Sequence, residues 1–285
     1  MPHLLSYKKG LYCFCHWLQG SSFWGLFGVS KRMNLYRRLG MVIIFSTALL
    51  VSCAPASQKG TLQLYANGEE RLQTGWTSKD GWQLQFDHVY LTLGTVTAYQ
   101  TNPPFDPEGG DRPKSEVTVV FSDPVTVDLV RDERPLVGST VAAVGHFNAL
   151  QWQTVAPSLQ LVGTAQRGSV RVPFNLTLDQ PLAFVCGDYI GDQRKGIVAA
   201  NSAADLEITL HFDHLFGDGA EPPTAAINRD AVGFDPFAAI ATPEGVTVDW
   251  TGLQQKLRSQ DFERLRKVLS SLGHVGEGHC REVSL

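Results

Sequence analysis

The sequence predicts a mainly β protein, an antiparallel β-sandwich or barrel with a short helical segment near the C-terminus. Three observations predict it. Between Thr61 and Cys186, short runs of alternating apolar and polar residues recur, the period-two signature of half-buried strands. Breaks rich in Pro, Gly and Asp separate those runs, as turns do in sandwiches and barrels. A helical spacing of apolar residues then appears between Gln260 and Leu272, close to the C-terminus.

The first strand is TLQLYAN, starting at Thr61. GWQLQFDHVYLTLGTVTAY, from Gly81 to Tyr99, holds two short strands or one long strand bent near Asp87 and Gly94. TNPPFDPEGGDRPKSE is a loop by composition. VTVVF and PVTVDLV return to strand, and HFNALQWQTVAP alternates Leu150, Trp152 and Thr154 with glutamines. SLQLVGTAQ, GSVRVPFNLTL and LAFVC continue the series.

Asp205 to Asp218, DLEITLHFDHLFGD, starts as a strand with Leu206, Ile208 and Leu210 on one face and Glu207 and Thr209 on the other. After His214 the character changes, with an apolar turn at Phe234, Phe237 and Ile240. In QDFERLRKVLSSL, Phe262, Leu265, Val268, Leu269 and Leu272 fall at helical spacing, and Gly273 is placed to end the helix. No internal repeat is evident.

The N-terminal region reads as an address. From Met33 it runs MNLYRRLGMVIIFSTALLVSC, with Arg37 and Arg38 before an apolar stretch from Met41 to Val51. That is the layout of a secretory signal, too short to serve comfortably as a mature membrane span. The tetrapeptide LVSC, Leu50 to Cys53, resembles the bacterial lipobox, which implies acylation of Cys53. Ala54 follows where an aspartate would signal inner-membrane retention, so the resemblance implies an outer-membrane lipoprotein facing the periplasm. Residues 1–52 are thus expected to be an over-extended start plus signal peptide, 53–60 a lipidated tether, and 61–285 a single β-rich domain. Cys13, Cys15 and His16 form a C-x-C tract upstream of Met33, to which no function is assigned.

Six of the 24 Lys and Arg residues lie in residues 1–52, and none of the 28 carboxylates does. The remainder therefore carries 18 basic and 28 acidic side chains, a net charge near −10. Nucleic-acid binding needs a basic footprint and is excluded as an expectation. Docking of the protein surface on anionic lipid is disfavoured in the same way, whereas cations are compatible with it.

With Cys53 acylated, Cys186 and Cys280 remain, and an oxidising compartment favours one disulfide between them. The alternative makes one or both thiolates metal ligands.

Two histidine-bearing segments carry the chemistry. HFDHLFGD delivers His211, Asp213 and His214 just before a Gly217-Asp218-Gly219 turn, and GHVGEGHC places His274 and His279 in a Gly-rich hook. In a continuing strand His211 and His214 would point to opposite faces; a bend after Asp213 would bring them together. Four neutral imidazoles suit zinc or copper, with Asp213 and Glu277 as orienting partners. Asp218 and His88 are further candidates, Asp218 and Glu277 also as bases if the site were catalytic.

These residues also carry a resemblance. GWQLQFD (Gly81–Asp87), HFDHLF (His211–Phe216) and GHVGEGHC resemble the GW-x-x-x-[FY]D, H-x-DH-x-F and closing GH-x-x-GEGHC motifs of a poorly characterised family of bacterial envelope lipoproteins. The resemblance spans nearly the whole mature chain and implies a metal-related role. It departs at the end, where Val275 alone separates His274 from Gly276. It departs also in a loop that in the family looks like half an EF-hand. With Gly245 at the turn position, the ligand places fall on Ile240, Thr242, Glu244 and Thr251, only one of them acidic; calcium is not expected there.

The functional expectation is an envelope-anchored lipoprotein that captures, buffers or senses zinc or copper, with the membrane and a metal transporter as partners. A structural or ligand-binding sandwich pinned by a structural metal is a second class, and a metal-dependent hydrolase a third. No H-E-x-x-H or G-x-S-x-G motif is present, so no enzyme activity is assigned.

Overall fold

The computed structural model describes residues 58–285; Cys53 and the signal segment lie outside the described residues. The elements run β1 (Lys59–Asn67), α1 (Glu70–Thr74), β2 (Trp76–Thr77), β3 (Gln83–Tyr99), β4 (Thr118–Phe121), β5 (Val125–Asp128) and β6 (Leu136–Ala143). There follow β7 (Gly145–His146), β8 (Ala149–Arg167), β9 (Val170–Thr177), β10 (Ala183–Cys186), β11 (Ile197–Val198) and β12 (Ala203–Leu210). The C-terminal part holds α2 (Asp213–Phe216), α3 (Ala226–Asp230), α4 (Asp235–Ala238), β13 (Val246–Val248), α5 (Trp250–Lys256), α6 (Ser259–Leu269), β14 (Gly273–Val275), β15 (Gly278–His279) and β16 (Arg281–Glu282).

The mainly β expectation holds, and the arrangement is that of a sandwich. One sheet has the order β15-β14-β12-β1-β6; the other is built on β13-β9-β8-β10-β16, with β3 beside β8 and β2, β4 and β5 pairing with β3. Most pairings are antiparallel, but β1 lies parallel to β12 and β13 parallel to β9. Alternation decides which face is buried: Leu62, Leu64 and Ala66 of β1 and Leu206, Ile208 and Leu210 of β12 enter a single apolar core.

β3 takes the single long, bent form that its pattern allowed, whereas β8 is longer than its pattern suggests. β3 is one strand of 17 residues, and its ladder with β8 slips between Phe86 and His88 and again between Leu93 and Val96. These bulges sit at Asp87 and Gly94, where the alternation breaks; each re-phases the strand so that the apolar side still meets the core. β8 runs for 19 residues straight past Pro157. Proline has no N–H to give a ladder, and Pro157 falls inside the irregular stretch between the Leu93–Thr154 and Leu91–Leu159 pairs.

The predicted helix is α6, which ends at Leu269 and not at Gly273. Gly273 instead opens β14, where a Cβ would stand 2.8 Å from Trp152 and 2.9 Å from Phe184. In the half-EF-hand-like loop, Thr242 and Gly245 close a tight turn and the Glu244 carboxylate accepts from the Thr242 hydroxyl.

Glu207 and Thr209 on the polar side of β12 are buried as well, with Asp205 half-buried at its start. Glu207 accepts from Arg134 (2.5 Å), Lys195 (3.2 Å) and Asn67 (3.1 Å), and Asp205 accepts from Arg134 (2.6 Å) and Lys195 (2.7 Å). The loop around Tyr189 and Lys195 covers this network, and its Ile190 pairs with Gly276 of the C-terminal hook.

Candidate metal centre

The centre forms where three elements end together. β12 stops at Leu210 and the chain turns through Phe212, whose backbone is already helical. The bend therefore comes before Asp213 rather than after it. Packing explains this: Leu215 and Phe216 of α2 are fully buried, and Phe216 meets Trp76, Phe86, Phe234 and Phe237 at ring distances of 6.0–6.3 Å. Driving α2 into this aromatic cluster swings His214 to the same side as His211, with ring centroids 5.8 Å apart.

The hook supplies the rest. β14 pairs with the end of β12, setting His274 opposite Thr209, and the β14–β15 hairpin sets His279 opposite His274. The tip is Gly276, at φ 59°, where a Cβ would lie 2.0 Å from the Ile190 carbonyl; only glycine fits. Directly after the hairpin, Cys280 forms a disulfide with Cys186 at the end of β10, as the cysteine count favours. The thiols are thereby removed as ligands.

Nitrogen atoms of His211, His214 and His274 all lie within 4.8 Å of one another. His274 stacks on His211 at 3.9 Å, with His214 edge-on to it at 5.1 Å. His274 is 2 % exposed, and neither of its ring nitrogens has a hydrogen-bond partner. Burial, reinforced by the three neighbouring imidazoles, pushes its pKa down to about 3. His214 is also lowered, by burial first and by His211 and His279, against the opposing charge of Asp213. Its Nδ1 lies 3.0 Å from the Ser271 carbonyl oxygen. A carbonyl can only accept, so Nδ1 carries the proton and Nε2 is left free to ligate. Neutral imidazoles in a buried group are the form a metal ion requires.

His279 stands at the rim. Its exposed ring is 4.3 Å from His274 and 5.9 Å from His214, and its nitrogens fall outside the close trio. With His214 it lines a cleft of about 430 Å³ that also touches Ile227, Asp230 and Val268.

The other candidates separate. Asp213 is at the centre, with a buried Oδ1 that has no partner. Glu277 is exposed on the hook, its backbone N–H held by the Ile190 carbonyl. Asp218 is taken by Arg71 at 2.7 Å. His88 lies in the other sheet, bonded through Nδ1 to Asp128 at 2.7 Å and stacked on Tyr90; it ties β3 to β5 and is not among the clustered imidazoles.

One residue at the centre escaped sequence reasoning. Glu69 approaches His211 to 3.8 Å between Oε1 and Nε2, and Glu69, His211 and Asp213 form a second group with donor atoms within 4.8 Å. Burial raises the Glu69 pKa, opposed by His211 and assisted by Asp213. No local pattern marks Glu69; only its position two residues beyond a strand end in a turn hints at it.

The donor set suits a transition metal: clustered imidazoles, a buried histidine with both nitrogens unbonded, and an unpartnered carboxylate oxygen. Comparisons with protein families, with curated proteins and with solved structures give no significant match for this chain.

Proposed function

We propose that this protein is an envelope-anchored lipoprotein that binds zinc or copper through His211, His214 and His274, with His279 closing the site from the rim, and so captures, buffers or senses the ion. The lipid on Cys53 holds it to the outer membrane on the periplasmic side, and a metal transporter is its natural recipient. The supporting observation is His274. A fully buried imidazole with two unbonded nitrogens is costly unless something occupies the space between it and its neighbours.

Elemental analysis of untagged protein purified from the cell envelope tests this, beside a His211→Ala/His214→Ala variant. The expected result is near one equivalent of zinc or copper, lost in the variant. Stoichiometric absence of metal, even after reconstitution, would overturn the reading. A metal that is functional cargo should also leave the fold behind when it departs, because the core and the Cys186–Cys280 disulfide remain. Metal at a hundredfold excess over Kd adds about 2.7 kcal/mol, which raises Tm by roughly 5–10 °C in a domain of this size. Chelation should therefore lower Tm by that amount and no more; complete unfolding on chelation would favour a purely structural metal instead.

A further inference from the structure

We infer that Glu69 and Asp213 form an oxygen-donor side of the same centre, making it a mixed nitrogen–oxygen shell that selects a divalent ion over cuprous ion. The inference rests on the metal-binding reading and adds to it ligands and a metal class.

The fold brings Glu69 there through one pairing. Because β1 runs parallel to β12 with Asn67 opposite Thr209, the residue two places beyond Asn67 arrives beside the residue two places beyond Thr209. Those residues are Glu69 and His211. Their separation of 3.8 Å is too long for a hydrogen bond. It matches two donors that each stand about 2.1 Å from one ion. His211 is 8 % exposed, and among the described residues its ring makes no hydrogen bond. On the same side the buried Oδ1 of Asp213 has no partner.

The backbone carries an independent sign. Glu69 sits at φ 65° and ψ 160°, a region occupied almost only by glycine. It is held there by Asn67, whose Oδ1 accepts from the Glu69 N–H at 2.7 Å, while the Glu69 carbonyl accepts from Leu72 at 3.2 Å. Glycine would occupy this position without strain. Glutamate in its place aims a carboxylate at His211. Hard carboxylate oxygens favour divalent ions, whereas cuprous ion prefers sulfur donors.

The test uses the full-length protein in detergent, stripped of metal. Cobalt(II) is titrated and its d–d absorption recorded, zinc is measured by competition, and cuprous ion is titrated anaerobically against a chromophoric chelator. Glu69→Gln should change the cobalt spectrum and weaken cobalt and zinc by about tenfold or more, with cuprous binding nearly unchanged. Glu69→Gly should weaken the divalent ions likewise while raising the Tm of the metal-free protein, so that the loss is not one of folding. An unchanged cobalt spectrum and zinc affinity in Glu69→Gln would overturn this inference alone, as would an equal loss of cuprous ion. Wild-type protein that takes up none of the three ions would overturn the metal-binding reading and this one with it.

Discussion

At the scale of single residues, His274 concentrates the argument. A neutral imidazole has one donor and one acceptor nitrogen, and here both are buried without partners. Each such group costs about 1–3 kcal/mol, comparable with what the buried ring gains from leaving water. His274→Ala should therefore change the stability of the metal-free protein by no more than about 1–2 kcal/mol, while abolishing the rise in Tm that zinc or copper produces. Thermal scans with and without metal check both halves. The Glu69 substitutions belong to the same scale, with Glu69→Gly expected to stabilise the metal-free protein by about 1 kcal/mol as the strained backbone relaxes. The two residues differ in legibility. His274 stands out in a Gly-rich hook beside a cysteine, whereas Glu69 looks like any turn glutamate until β1 is paired with β12.

At the scale of elements, the hook is the part most dependent on its ties. It is five short residues of hairpin strand, fastened by pairing to β12, by Ile190 at the Gly276 tip, and by the disulfide to β10. The cysteines are 94 residues apart in sequence, so the crosslink closes a long loop in the unfolded chain. Cys280→Ser with Cys186→Ser should cost about 2–4 kcal/mol and lower Tm by roughly 10 °C. It should also weaken metal binding, because His274 and His279 lie on the hairpin that the disulfide fastens directly after its last residue. Calorimetry and metal titration of the oxidised protein and the double variant measure the two effects. The hook, the disulfide and helix α6 were all visible in spacing and composition. The merger of two predicted runs into β8 was not, and the β3 pattern left one bent strand or two, because a bulge and the start of a new strand leave the same local break in alternation.

At the scale of the whole molecule, the charge network along β12, centred on the buried Glu207, sets an acid limit. Burial opposes ionisation of Glu207, but its bond from Asn67 and the charges of Lys195 and Arg134 prevail and hold its pKa below the usual value. Asp205 is lowered by the same two cations, against burial. Groups with depressed folded pKa values contribute stability above their unfolded pKa and lose it as pH falls through the folded one. Unfolding free energy should thus be sustained above about pH 5 and decline below about pH 4. Glu207→Gln should flatten that decline and lower stability at pH 7 by about 1–2 kcal/mol, since Arg134 and Lys195 lose a buried charged partner but keep Asp205. Urea unfolding across pH 3 to 7 tests both. This network also bridges β12 to the loop that clips the hook, so its loss should loosen the metal centre.

The sequence by itself determined the β class, the apolar faces of the strands, the amphipathic helix α6 and the two histidine segments, because each is written in residues near one another along the chain. Tertiary structure alone decided that His211, His214 and His274 meet while His279 stays at the rim, that His274 is stripped of hydrogen bonds, and that Glu69 joins them. Those outcomes depend on which strands pair, in what register, and on what packs over them. Local periodicity carries a side chain's face, and the partner across the sheet is chosen by the fold.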